Sequence, residues 1–301
     1  MPISVRLPSQ FSCLRHIIGA LLLVLATLGL SGCSAVKLSY NNAPELTYWW
    51  LDSYLDLNET QSLKLRSDLT ALQAWHRQME LPQYVSTLER LQRLAATEVT
   101  PLQVCTLYEE LRPRLQVLLD RAEPTLVALA PTLTATQLEH LARQFNKRNG
   151  KWRAEWLDNS AAEQAARRAQ QLTDRAEHFY GPLEEAQLAM LRASVARSVF
   201  DADVKYRETL RRQQDALQTL RQLQADPGPA GHVKTAVHAL LERTLNSPAA
   251  DYRSYAERST QENCRLLATL HNSATPAQRQ RLLETLQDYA ADARSLMAPS
   301  R

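Results

Sequence analysis

The sequence predicts an all-α fold, a bundle of roughly eight or nine helices. Apolar residues recur at spacings of three and four over most of the chain, which is the pattern of one helix face. Only seven glycines occur in 301 residues and aromatic residues make up 6%, so the turns and strands of a sheet-rich fold are not indicated. With 45% apolar and 22% charged residues, the composition is that of a folded globular protein.

The first residues are typical of a secretion signal. Arg6 and Arg15 precede an apolar run over 17–28, which is too short to span a bilayer comfortably. The run ends in Leu30-Ser31-Gly32-Cys33. This tetrapeptide resembles the lipobox of bacterial lipoproteins, in which the cysteine is acylated and becomes the new N-terminus.

The lipobox resemblance implies removal of residues 1–32 and a lipid on Cys33, with 33–43 as a tether. Ser34, rather than Asp, implies anchoring at the periplasmic face of the outer membrane. The alternative is an uncleaved membrane anchor with an incidental cysteine. Loss of the signal leaves 33 basic and 32 acidic side chains, so no excess of positive charge indicates a nucleic-acid partner.

Residues 44–301 are predicted to form one helical domain. Asn42 and Pro44 indicate the start of a short first helix. Further helices are expected at approximately 65–79, 82–97, 101–129, 135–179, 183–224, 232–246, 249–272 and 276–297. The 183–224 helix has the longest regular pattern, over Leu188, Leu191, Val195, Val199, Ala202, Tyr206 and Leu210.

Proline and glycine indicate where these helices bend or stop. Pro113 and Pro124 are expected to kink or split the 101–129 helix. Gly150 and the polar stretch near Asn159 are expected to interrupt the 135–179 helix. Segment 225–231 contains two prolines and two glycines and is predicted to be a linker.

One helix-start signal recurs four times. A capping residue stands three positions before a glutamine in Asn58-Glu59-Thr60-Gln61, Thr100-Pro101-Leu102-Gln103, Thr134-Ala135-Thr136-Gln137 and Thr275-Pro276-Ala277-Gln278. This spacing predicts a capping box at each helix start. Leu133 extends the third copy to Leu-Thr-x-x-Gln, which resembles the motif of Spy-type periplasmic chaperones. The motif therefore allows either a structural or a chaperone interpretation.

A second resemblance covers most of the mature chain. Its segments are Leu38-Ser39-Tyr40-Asn41-Asn42-Ala43-Pro44, Tyr48-Trp49-Trp50-Leu51-Asp52, Trp75-His76-Arg77, Leu81-Pro82-Gln83-Tyr84, Asn146-Lys147-Arg148-Asn149 with Trp152, Tyr180-Gly181-Pro182-Leu183, Arg211-Arg212-Gln213-Gln214-Asp215 and Thr275-Pro276-Ala277-Gln278-Arg279. They resemble a family of proteobacterial lipoproteins of unknown function. The resemblance implies a location and a helical fold but transfers no catalytic residues.

Two cysteines remain after processing and acylation. An even pair in an oxidising compartment favours a disulfide between Cys105 and Cys264. The alternative is two separate buried thiols.

Reaction motifs are not evident. The four mature glycines, at 150, 181, 228 and 231, provide no glycine-rich phosphate loop, and no nucleophile elbow occurs. None of the six mature histidines lies three or four positions from another, so no helical zinc pair is indicated. We therefore expect no catalytic site, no metal site and no cofactor other than the lipid.

Two surface features are candidates for binding. A basic and aromatic segment is a possible site for lipid phosphates or an anionic polymer: Arg143, Lys147, Arg148, Lys151, Trp152, Arg153 and Trp156. Its alternative is a solvated helix face with tryptophans packed inward. Trp49 and Trp50 are candidates for the membrane interface. Because adjacent helical positions diverge by roughly 100°, one of them is expected to pack into the core.

The sequence thus predicts a lipid-anchored envelope protein that acts by binding. Its partners are expected to be the membrane, through the anchor, and an unidentified envelope protein or polymer. A Spy-like chaperone is the first alternative. An enzyme acting on peptidoglycan or lipid is the second.

Overall fold

The computed structural model describes residues 32–229 and 231–297, in which every regular element is helical. The α-helices are α1 (Gly32–Asn41), α2 (Ala43–Leu55), α3 (Glu59–Met79), α4 (Leu81–Ala95), α5 (Pro101–Leu129), α6 (Ala135–Trp152), α7 (Ala161–Tyr180), α8 (Glu185–Ala196), α9 (Ala202–Ala225), α10 (His232–Leu245), α11 (Ala250–Asn272) and α12 (Pro276–Met297). A 3₁₀ turn at Ala130–Thr132 and a π turn at Arg153–Leu157 follow α5 and α6.

The predicted all-α class is confirmed, but the predicted count of eight or nine helices is wrong. The described part of the chain contains twelve α-helices. Two of the expected long helices are divided, which accounts for most of the difference. By contrast, α5 passes through Pro113 and Pro124 as one helix, and Gly150 lies inside α6.

The expected 183–224 helix is two helices, α8 and α9. The first ends at Ala196, and Asp201 starts the second as its N-cap, because its carboxylate accepts a hydrogen bond from the Val204 N–H at 2.9 Å. Glu262 of α11 accepts hydrogen bonds from the Ser198 hydroxyl and the Val199 N–H. The cap at Asp201 and the contact with Glu262 therefore divide the helix, although the apolar spacing continues through the break.

The expected 135–179 helix breaks near Asn159, as its polar sequence indicated. The α6 backbone first widens into the π turn. Ser160 then starts α7 through a reciprocal capping box with Glu163. The break separates α6 from α7, which packs on α8 and α12.

The chain divides into two units, Met1–Asn42 and Ala43–Arg301. Within the first, the structure describes only α1; residues 1–31, which include most of the predicted signal peptide, and the side chain of Cys33 lie outside the described part. The second unit contains α2 to α12. The predicted linker 225–231 lies within this second unit, between α9 and α10.

The second unit is held together by several apolar clusters. Leu55, Leu138 and Leu141 join α2 to α6. Leu282 and Leu286 of α12 pack with Ala95 of α4 in another cluster. A third joins the 3₁₀ turn, α9 and α10. No helix in the described residues has both the length and the apolar character needed to cross a membrane.

The disulfide partners of the sequence analysis lie on neighbouring helices. Cys105 of α5 and Cys264 of α11 are bonded, with their Cα atoms 5.4 Å apart. Cys264 is buried at 3% exposure. The bond links two helices that are 159 positions apart in the sequence.

All four predicted capping boxes are present. Two of their glutamines also bind each other: the Gln137 Nε2 donates to the Gln61 Oε1 at 2.7 Å, and the Gln61 Nε2 donates back at 3.3 Å. Both are buried. The motif that resembles the chaperone signature therefore joins the starts of α3 and α6, and its glutamine is not available to a client.

A second glutamine pair repeats this arrangement at the starts of α8 and α12. Gln187 and Gln278 exchange hydrogen bonds at 2.8 and 2.9 Å. Each also donates to a backbone carbonyl, Gln187 to Ser273 and Gln278 to Pro182. The sequence analysis missed the box at Gln187 because Glu184, an uncommon capping residue, occupies its first position.

His271 of α11 gives the fold a dependence on pH. Its Nε2–H donates to the Thr97 carbonyl at 2.8 Å, and its Nδ1 accepts from the Tyr180 hydroxyl at 3.0 Å. Burial lowers the pKa of His271 below its ordinary value of 6.5, which outweighs the opposing effect of the Thr97 hydrogen bond. Burial also raises the pKa of Tyr180 to about 12.

We expect stability to fall on acidification because of His271. The unfolded chain binds a proton at His271 more readily than the folded chain does. The stability that neutral His271 contributes is therefore fully present above pH 6.5 and is lost as the pH falls toward the lower pKa of the folded state. Urea unfolding at pH 7.5 and in steps down to pH 5 measures it. The pH dependence should be weaker in His271→Gln and unchanged in His232→Gln, whose histidine is exposed. Equal pH dependence in the native chain and His271→Gln would contradict this assignment.

Candidate functional site

A cleft of about 950 Å³ opens between helices of the second unit. Its walls come from α2, α6, the π turn, α7, α9 and α11, so distant parts of the chain meet there. Six cationic residues line it: Lys147, Arg148, Lys151, Arg168, Arg175 and Lys205. We call this site the basic cleft.

The predicted basic and aromatic segment contributes five residues to the basic cleft: Lys147, Arg148, Lys151, Trp152 and Trp156. Arg143 and Arg153 do not line it. They lie 3.9 Å from the carboxylates of Glu139 and Asp158, respectively. Helix rotation therefore divides the segment: its basic residues are exposed, and Trp156 is packed inward at 6% exposure, as the solvated-face alternative expected.

The other three cations come from elements that the sequence analysis did not connect with the segment. Arg168 and Arg175 lie on α7, and Lys205 lies on α9. In the sequence, the many arginines of α7 carry no signal that separates these two from their neighbours. Only the turn between α6 and α7 brings them opposite Lys151.

The positive charge of the basic cleft is not neutralised. Glu155 is the one carboxylate among its lining residues. Within the described part of the chain, none of the six cations forms an ion pair within 4.0 Å. Arg148 instead donates to the Tyr54 hydroxyl at 3.1 Å.

The neighbouring arginines of α9 and α10 show the opposite pattern. Arg211 and Arg212 reach Glu208 at 2.8 and 2.6 Å. Arg243 reaches Asp215 at 2.8 Å. These arginines of α9 and α10 are therefore held in ion pairs, whereas the six cations of the basic cleft are not.

Lys205 lies in a partly desolvated and positively charged environment. Partial desolvation by the cleft walls lowers the pKa of Lys205, and the charges of Arg168 and Arg175 lower it further. Burial likewise lowers the pKa of Arg168, although Glu262 opposes this. An anion bound among these groups counteracts both the loss of solvation and the repulsion between cations, because it supplies an opposite charge.

Aromatic rings form an apolar wall beside the cations. Trp152 and Trp156 have ring centroids 5.7 Å apart, and Phe200 is 5.2 Å from Trp156. The Arg168 guanidinium lies 4.2 Å from the centre of the Phe200 ring, and the Lys205 ammonium lies 5.1 Å from it. These contacts orient the two cations without neutralising them.

Trp152 has a hydrogen-bond donor for which the described structure provides no acceptor. Its indole Nε1–H is buried and has no hydrogen-bond partner in the described structure. Buried donors are nearly always paired in folded proteins, so an unpaired one at a ligand-sized cleft indicates a missing acceptor. Trp156 lies in the π turn, an irregularity that is frequent at functional sites.

The chemistry of the basic cleft favours binding. It offers ammonium and guanidinium donors, an indole N–H and aromatic faces, which together suit phosphate or carboxylate groups attached to a larger molecule. Among the described residues, no group of three histidine, cysteine or acidic side chains is arranged to hold a metal ion.

The fold and the site define an all-α protein with a cationic, aromatic-walled cleft. The family model described as "Family of unknown function (DUF6279)" matches residues 53–253. The match covers well over half of the chain, which therefore belongs to this family. It begins after the Tyr48–Asp52 motif and includes every lining residue of the basic cleft except Asn263. Searches of curated proteins and of solved structures found no match.

Proposed function

We propose that this protein is a lipid-anchored envelope protein of the outer membrane that acts by non-catalytic binding of an anionic ligand in the basic cleft. The observation that carries the proposal is the group of six unpaired cations beside an aromatic wall. The lipobox-like sequence ending at Cys33 supports the location. The ligand class is a phosphate- or carboxylate-bearing molecule of the envelope.

The energetics favour an anion over a neutral ligand. The charges of Arg168 and Arg175 repel that of the partly buried Lys205. Bringing one anion among them replaces repulsion with attraction, and each charge-assisted hydrogen bond contributes about 1.5–3 kcal/mol. Trp152, which also lines the basic cleft, has a buried indole N–H without a hydrogen-bond partner in the described structure.

Charge removal in the basic cleft is expected to weaken anion binding. Arg175→Gln and Lys205→Gln should each raise the Kd for inorganic pyrophosphate by about tenfold, which corresponds to about 1.4 kcal/mol. Isothermal titration of the purified full chain in detergent measures this. The change in Trp fluorescence on titration is a second readout.

Matched controls come from the same basic segment. Arg143→Gln and Arg153→Gln remove exposed charges outside the basic cleft and should change the Kd by less than about twofold. Equal losses in all four variants would show that binding follows net charge only. Undetectable binding by the native chain at millimolar pyrophosphate would exclude the basic cleft as an anion site.

A further inference from the structure

Helix α2 presents an apolar face to solvent. Leu46, Trp49 and Trp50 have exposed fractions of 56, 61 and 55%. With Ser53, which is also exposed, they fall within an arc of about 100° at roughly 100° per residue. We call this surface the α2 face.

The opposite side of α2 fixes its orientation. Tyr48 and Leu55 are buried at 6 and 9% exposure, and the Tyr48 hydroxyl donates to Ser62 of α3 at 3.0 Å. The sequence analysis expected either Trp49 or Trp50 to pack into the core, and this was wrong. Both remain outside because they occupy the two edges of the exposed arc.

We propose that the α2 face docks into the headgroup layer of the membrane that holds the anchor. This inference rests on the proposed acylation of Cys33. Trp49 follows Cys33 by sixteen positions, so the connecting chain keeps it within about 55 Å of the lipid attachment even when fully extended. A bilayer surface is thus always within reach of the α2 face.

The residue types of the α2 face fit this occupant. Tryptophan is favoured at the membrane interface because its ring is apolar and its N–H is polar. Arg66 borders the face: its guanidinium lies 3.7 Å from the Tyr48 ring centre and 5.5 Å from that of Trp49. Two large exposed tryptophans on one short helix leave a surface that water solvates poorly.

The α2 face is continuous with the basic cleft. The Trp50 and Tyr54 rings have centroids 5.2 Å apart, and Tyr54 lines the cleft and accepts the Arg148 hydrogen bond. Docking of the α2 face therefore brings the mouth of the basic cleft to the depth of the lipid phosphates.

Fluorescence quenching in vesicles tests the docking. The native chain is reconstituted into phosphatidylglycerol and phosphatidylcholine vesicles that contain lipids brominated near the headgroup. We expect a quenched fraction of the tryptophan emission that is largely lost in the Trp49→Ser/Trp50→Ser variant. The fold should be unaffected, because both side chains are exposed, and circular dichroism checks this.

Tyr108→Ser is the matched control, since Tyr108 is also 55% exposed but lies on α5. It should leave the quenched fraction unchanged. Equal quenching in the native chain and the double tryptophan variant would overturn the docking. So would full access of Trp49 and Trp50 to aqueous acrylamide in the vesicles. The intact mass of the same sample reports acylation of Cys33 separately, which distinguishes failure of the anchor from failure of the α2 face.

Discussion

Replacement of Gln137 by leucine is expected to lower the free energy of unfolding by about 3 kcal/mol. The Gln137 side chain accepts from the Thr134 N–H at 2.9 Å and donates to the Asp56 carbonyl at 2.8 Å. Leucine fills the space but removes these two hydrogen bonds and leaves the buried Gln61 side chain without its Gln137 partner, which costs about 1–3 kcal/mol. Chemical unfolding in urea, followed by circular dichroism, measures the difference.

Gln103 provides the control for this prediction. It forms the same capping box with Thr100, at 2.8 and 3.2 Å, but it is exposed and has no hydrogen bond to another helix in the described structure. Water can replace its side chain, so Gln103→Leu should cost less than about 1 kcal/mol. Similar costs for Gln103→Leu and Gln137→Leu would mean that the capping box, and not the buried pair, provides the stability.

Removal of the disulfide is expected to cost about 4 kcal/mol. The Cys105–Cys264 bond closes a segment of 159 positions, and cross-links over long segments restrict the unfolded chain most strongly in the loop-entropy model. The Cys105→Ala/Cys264→Ala variant should therefore unfold at lower urea concentration than the native chain. The free energy of unfolding of the variant should also fall more steeply with urea concentration if its unfolded chain expands.

Two measurements separate the bond from the side-chain change. Reductant should destabilise the native chain and leave the double alanine variant unchanged. Mass spectrometry after alkylation should show no modification of Cys105 and Cys264 without reductant and two modifications with it. Full alkylation of both thiols without reductant would show that they are not bonded.

Sequence reasoning succeeded where the determining contacts are local. The capping boxes at Gln61, Gln103, Gln137 and Gln278 depend on residues three positions apart, so spacing alone locates them. It also predicted the all-α class, which rests on apolar periodicity over many turns.

Sequence reasoning failed where a distant residue decides the outcome. The break between α8 and α9 depends on Glu262, more than sixty positions away from Ser198. The basic cleft likewise depends on contacts between distant parts of the chain. The spacing identified Lys147, Lys151 and Trp152. It did not identify Arg175 and Lys205. Their positions follow from the break after α6 and from tertiary packing, in which α7 contacts α8 and α12 and α9 contacts α6, and no local pattern encodes these contacts.

The position of the disulfide in the chain has a consequence for biogenesis. If the protein crosses the inner membrane from its N-terminus, Cys105 reaches the oxidising compartment long before Cys264. Cys13 lies in the proposed signal peptide and Cys33 would carry lipid, so no other thiol of this chain would compete for Cys105 in the meantime. The bond would then close only after α11 has emerged. Transport from the N-terminus would thus set the order of folding. The disulfide would form late, and no other thiol of the chain would be present to form a wrong bond.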